Sequence, residues 1–209
     1  MIICLIGFMG CGKSSVGRRL SKLLCCPFID LDEVIVERTG KSIPEIFADD
    51  GEKAFRQMEL ETLQYVIENS LPENSRGPLP HSGTLVLALG GGTVMTPECA
   101  EIVSSETRCI YLRASVETLI EHLEGQTDNR PLLNIQNCHS DQNSNCHSDR
   151  DSNCHFERAK RVEKSMALKS HIESLMAQRS TTYEKTAHII IDTDGKSIEA
   201  IASEIISLL

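Results

Sequence analysis

The chain contains no tryptophan, and aromatic residues make up 4% of its 209 positions, so a core must be built mainly from aliphatic side chains. Basic residues are in deficit: 21 Lys and Arg against 30 Asp and Glu leave a formal charge of −9. Displacing counterions from a nucleic acid takes a cationic face, so this balance argues against general affinity for one. It leaves room for a single locally basic pocket. No apolar run approaches the roughly eighteen residues of a membrane span. The opening Met-Ile-Ile-Cys-Leu-Ile lacks the charged lead-in and cleavage site of a secretory signal, which sets the expectation of a cytoplasmic protein. The 9 cysteines show no tight framework spacing and are expected as reduced thiols. Cys4 and Cys109 sit inside apolar runs and read as small buried hydrophobes.

What is present suits one α/β domain spanning residues 1–209, since 40% of the chain is hydrophobic and 24% charged. Short aliphatic runs at Ile2–Ile6, Leu85–Leu89, Cys109–Leu112 and His188–Ile191 read as buried strands of a mainly parallel sheet, with Pro27–Asp30 as a further short one. Helix-like stretches lie between them at Ser14–Leu24, Ile43–Asn69, Val116–Glu124, Phe156–Arg179 and Ser197–Leu209. Such alternation implies right-handed crossovers and a layered fold. Ser70–Thr84, with three Pro and two Gly, reads as a surface loop. Residues 134–155 carry an eight-residue repeat: Asn137-Cys-His-Ser-Asp-Gln-Asn-Ser144, then Asn145-Cys-His-Ser-Asp-Arg-Asp-Ser152, then Asn153-Cys-His155. So polar a segment cannot bury enough surface to order itself, and a disordered insertion is expected.

Gly7-Phe-Met-Gly-Cys-Gly-Lys13-Ser14 satisfies the phosphate-loop pattern G-x-x-x-x-G-K-[ST] between a strand and a helix, the setting the pattern demands. Backbone N–H groups must turn inward onto phosphate oxygens, and side chains at Gly7, Gly10 and Gly12 would obstruct that turn. Lys13 supplies a mobile cation for the β- and γ-phosphates, and Ser14 a hydroxyl for Mg2+. A carboxylate is also required near the metal. The Leu85–Leu89 strand runs into Gly90-Gly91-Gly92 and offers none, whereas Asp30-Leu-Asp32 does. Residues two apart in an extended segment face the same side, so both acids can address one cleft. The structural alternative for Asp32 is an N-cap before the amphipathic Val34–Arg38 stretch.

With these features in order, the sequence resembles the shikimate kinase family. The resemblance rests on the phosphate loop, Asp30 and Asp32, Phe55-Arg56-Gln-Met-Glu59, Gly90-Gly91-Gly92, Arg130-Pro-Leu-Leu133 and Arg179-Ser-Thr-Thr-Tyr183. It implies a three-layer P-loop kinase fold with a parallel five-stranded sheet in the order 2-3-1-4-5, a substrate-binding region near residues 32–62, and a lid near residues 125–157. It implies ATP contacts at Gly10, Cys11, Gly12, Lys13, Ser14, Ser15 and Arg130, and Mg2+ at Ser14 and Asp30, directly or through water. Shikimate would meet Asp32, Arg56, Gly90, Gly91, Gly92 and Arg179. Lys13, Asp32 and Arg130 would be the catalytic residues, with Asp32 orienting the nucleophile and accepting its proton. Arg56 and Arg179 would clamp the substrate carboxylate, because a planar guanidinium matches that geometry. On one helix face Arg56 would also pair with Glu59.

The chain departs from the family in two places. Members often carry an Arg shortly before the lid Arg, stacked on adenine, and Leu123-Glu-Gly-Gln-Thr-Asp-Asn129 has none, so no adenine contact is assigned. The Cys-His repeat follows the lid motif, and its adjacent Cys and His lack the spacing of zinc ligands, which favours a tolerated insertion over a metal site. The activity implied is ATP:shikimate 3-phosphotransfer in chorismate and aromatic amino acid biosynthesis, by a monomer with small-molecule partners only. The alternatives are a gluconate-type kinase and a catalytically silent nucleotide-binding regulator.

Overall fold

The computed structural model describes residues 1–70, 83–123 and 150–209. Five strands, β1 (Ile2–Ile6), β2 (Phe28–Asp30), β3 (Leu85–Ala88), β4 (Arg108–Arg113) and β5 (Ile189–Asp192), pair in parallel in the order β2-β3-β1-β4-β5. The order is the expected one, and it places the two neighbours of β1 on connections that leave in opposite directions. The crevice outside the carboxyl ends of such strands is where α/β sheets bind ligands.

The central strands β1, β3 and β4 are apolar on both faces because both faces are covered. Ile2, Cys4 and Ile6 join one core with Leu87, Cys109 and Tyr111, packed under helices α2 (Leu31–Thr39), α3 (Ile43–Asp49), α4 (Gly51–Ser70) and α5 (Pro97–Glu106). Ile3 and Leu5 turn to a second core with Val86, Ile110, Leu112 and Ile191, under α1 (Lys13–Leu24), α6 (Val116–Leu123) and α8 (Ile198–Leu208). The long helix α7 (Arg150–Thr186) contributes Tyr183 to the first core and Leu168 and Ile172 to the second. Cys4 and Cys109 are fully buried, as expected of small hydrophobes, and burial raises the Cys4 thiol pKa.

Three expectations about elements need correction. The single helix expected over Ile43–Asn69 is two, α3 and α4, because Gly51 takes φ 82° and breaks the helical path. Helix α5 was not anticipated; Pro97 opens it and Cys99 and Val103 are its buried contacts, too few for a visible period. Helix α7 begins at Arg150 rather than Phe156, so the last copy of the repeat lies on it instead of in an irregular segment. Adding turns to an existing helix requires no new nucleus, which lets polar residues extend it. Residues 137–149 of the repeat and the loop at residues 71–82 fall outside the described residues.

Candidate active site

Strand β1 delivers the chain into the phosphate loop, and α1 carries it away. Gly10 and Gly12 have φ 85° and 92°, a left-handed conformation that side chains with a Cβ rarely adopt. Gly12 occupies the N-cap of α1 without side-chain capping, and no acidic residue enters the first turn. The first N–H groups of α1 are therefore left for an anion, at the positive end of the helix dipole. Lys13 is 9% exposed, and its ammonium donates to the carbonyls of Gly7 at 2.9 Å and Phe8 at 3.0 Å. Those bonds fold the cation back over the loop it serves.

The aspartates stand beside it. Ser14 Oγ donates to Asp30 Oδ2 at 2.6 Å, joining the start of α1 to the end of β2. Asp30 Oδ1 accepts the Asp32 N–H at 3.2 Å, so Asp30 is the N-cap of α2. The cap, the structural alternative for Asp32, belongs to Asp30. The helix starts at Leu31 because Leu31 and Ile35, one turn apart, both bury against the core. Asp32 is left in the first helical turn, half-buried and lining the cleft.

The opposite end of the cleft is built from charges and glycines. Arg56 of α4 donates from Nη1 to Glu59 Oε2 at 2.6 Å and from Nη2 to Glu52 Oε1 at 3.0 Å. Glu59 is fully buried and also receives the Thr93 hydroxyl. Burial by itself would lower the Arg56 pKa, but the Glu59 and Glu52 carboxylates outweigh it and the net direction is upward. A Cβ at Gly92 would stand 2.6 Å from both terminal nitrogens of Arg56, so the guanidinium lies flat against that backbone. A Cβ at Gly90 would stand 2.8 Å from Asp32 Oδ1 and 2.8 Å from Glu59 Oε1. The triple glycine is thus a close-packed surface under two carboxylates and a guanidinium, not a slack turn. Gly91 faces the other way: its carbonyl accepts from Tyr183 Oη and from Arg179 Nη1 at 3.4 Å. Arg179 is 8% exposed, with its guanidinium carbon 5.8 Å from the centre of the Phe8 ring.

These parts open on one cleft of about 1070 Å³. Of the residues expected at the site, Gly10, Cys11, Gly12, Lys13, Ser14, Ser15, Asp30, Asp32, Arg56, Gly90, Gly91 and Gly92 line it. Arg179 stands behind Gly91 rather than in the lining, and Arg130 lies outside the described residues. The lining also includes His122 at the end of α6, and Thr193, Lys196, Ser197 and Ile198 where β5 passes into α8. Sequence reasoning did not find these. The one available signal was that loops following parallel strands gather at the same sheet edge.

A family model described as shikimate kinase matches residues 9–172. A shikimate kinase of Thermus thermophilus is 35% identical over 207 residues, 99% of this chain and 89% of its own length. One from Enterococcus faecalis is 33% identical over 208 residues, 99% of this chain and 97% of its own. Among solved structures, the shikimate kinase from Acinetobacter baumannii in complex with shikimate has a TM-score of 0.75 at 28% identity, covering 99% of this chain and 91% of that one.

Proposed function

The chain belongs to the shikimate kinase family, and we propose that its cleft holds ATP on the phosphate loop and shikimate on the triple glycine, with Asp32 between them. It is an ATP-dependent shikimate kinase. The observation that carries the assignment of ends is that one cleft has a backbone cradle with Lys13 at one side and Arg56, fixed by Glu59 against Gly92, at the other. The first suits a triphosphate and the second a carboxylate.

In the transfer, the shikimate 3-hydroxyl oxygen forms a bond to the γ-phosphorus while the bond from that phosphorus to the β–γ bridging oxygen breaks. The hydroxyl proton passes to the Asp32 carboxylate, and ADP leaves. Asp32 reaches this place because Asp30 caps α2 and turns the next carboxylate into the cleft. Lys13 leaves its loop carbonyls for the phosphate oxygens, where charge spreads as the γ-group transfers. Arg179 supports the acceptor site from behind Gly91 and, with Arg56, holds the substrate carboxylate. Arg130 is the cation we assign to the transferring group from the lid. The cleft wall at Thr193, Lys196, Ser197 and Ile198 is the place we assign to the nucleoside, since it follows β5, at the sheet edge opposite β2, whose end carries Asp30.

The pair of Ser14 Oγ and Asp30 Oδ2, 2.6 Å apart at the phosphate loop, fits a hard divalent cation, which prefers oxygen donors. Mg2+ would be held there by Ser14 and Asp30 and would neutralise charge on the triphosphate. The cysteines of the described residues are free thiols, which supports a cytoplasmic setting. No helix among the described residues is long and apolar enough to cross a membrane. ATP and shikimate are its small-molecule partners.

Coupled ADP release with ATP, Mg2+ and a panel of shikimate, gluconate and nucleoside monophosphates tests the reading. Release should depend on shikimate. Turnover with gluconate or a nucleotide alone would overturn it.

A further inference from the structure

The last two residues of α6 both rest on Gly10 of the phosphate loop. His122 Nδ1 lies 2.8 Å from the Gly10 carbonyl oxygen, and a Cβ at Gly10 would stand 3.0 Å from the Leu123 side chain. A carbonyl can only accept, so Nδ1 carries the hydrogen and donates it. The Gly10 carbonyl and the Cys11 N–H belong to one planar peptide and point in opposite directions. On the far side of that peptide, the Cys11 N–H reaches the Phe8 carbonyl at 3.3 Å, the same carbonyl that holds the Lys13 ammonium at 3.0 Å. His122 therefore grips the outer edge of a peptide whose inner edge faces the cradle. Glycines with positive φ flank this peptide and the next, and such backbone turns easily unless something holds it. Among the described residues, Leu123 gives Gly10 shape and His122 gives its carbonyl direction.

We propose that His122 is a positioning residue for the phosphate loop: it fixes the Gly10–Cys11 peptide so that the loop presents its N–H groups to a polyphosphate. This rests on the assignment of ATP to that loop. The imidazole acts through the backbone and not on the base, so its contribution is the same for any ligand carrying the phosphates. His122 is exposed, and its replacement leaves the two cores intact.

The test is titration calorimetry of wild type, His122→Ala and His122→Asn with ADP and with inorganic tripolyphosphate, Mg2+ in excess, alongside thermal melting and the KM for shikimate. Wild type should bind both ligands. His122→Ala should weaken both alike, by about two- to tenfold, as expected for one hydrogen bond. His122→Asn, whose amide can stand where Nδ1 stood, should restore binding to within about twofold. Melting temperature and shikimate KM should not move. Loss of ADP affinity with tripolyphosphate affinity intact would make His122 a nucleoside contact and overturn the proposal. So would an Ala variant that binds like wild type, an Asn variant as weak as Ala, or a fall in melting temperature and shikimate affinity together. Failure of wild type to bind either ligand would overturn the nucleotide assignment, and the role of His122 with it.

Discussion

On the proposed assignment, the two ends of the cleft recognise anions by different means. At the phosphate end the ligand meets backbone: a run of consecutive residues turned by Gly10 and Gly12, the uncapped start of α1, and one lysine. At the acceptor end it would meet the Arg56 side chain of α4, held by the buried carboxylate of Glu59 against the glycine backbone after β3, with Arg179 of α7 behind Gly91. A backbone cradle depends on conformation, and its donors exist whatever the neighbouring side chains are. A guanidinium clamp depends on a buried charge balance, and each member leaves another unpaired if removed. The first end should therefore be sensitive at few positions and the second at many.

The sharpest way to break the comparison is at Lys13, the cation folded over the phosphate loop. Lys13→Met keeps the length and removes the charge, so kcat/KM should fall by about a thousandfold, the scale of losing one electrostatic contact to the transferring group. Shikimate affinity, measured by calorimetry without nucleotide, should stay near the wild-type value. If it fell as far as kcat/KM, the two ends would not be separate devices.

The acceptor end should yield to the smallest possible insertion. In Gly92→Ala the new methyl would stand 2.6 Å from Nη1 and Nη2 of Arg56 and push the guanidinium off its seat. Shikimate KM should rise by about ten- to a hundredfold, as for losing a hydrogen bond to a charged group. ADP affinity should hold, because the atoms nearest to the new methyl belong to Arg56 and not to the phosphate loop. Equal losses for both ligands would sink the claim that Arg56 serves only the acceptor.

The same contrast explains what could be read from the sequence. Gly7, Gly10, Gly12, Lys13 and Ser14 were legible as a loop because the pattern is local: one loop, one turn, one spacing. The sheet was legible because parallel strands buried on both faces are apolar throughout. Asp30 and Asp32 were found as a pair, but which of them caps α2 was not. Spacing places both acids on one side, while only the start of α2 at Leu31 decides which becomes the cap. The Arg56–Glu59 pair was legible from helical spacing. Its third member, Thr93, was not, because a bond across 34 positions leaves no period. His122 escaped for the same reason, being 112 positions from the carbonyl it holds.

Thr93 is the finest test of the comparison. Its hydroxyl donates to Glu59 Oε1, while Arg56 Nη1 occupies Oε2, so the carboxylate is held between a neutral donor and a charged one. Thr93→Val keeps the branched shape at a buried position and removes the donor. Glu59 then has one oxygen in a water-poor site without its hydroxyl, a cost of about 1–3 kcal/mol. In a chain of this size that corresponds to a fall of about 5 °C in melting temperature. The carboxylate should turn toward its remaining partner, and Arg56 with it, raising shikimate KM about threefold. Thr93→Ser keeps the hydroxyl and should restore the KM even where the lost methyl lowers stability. That split separates orientation of the clamp from packing beneath it. A serine variant that melts like wild type but binds shikimate as weakly as the valine variant would remove Thr93 from the clamp.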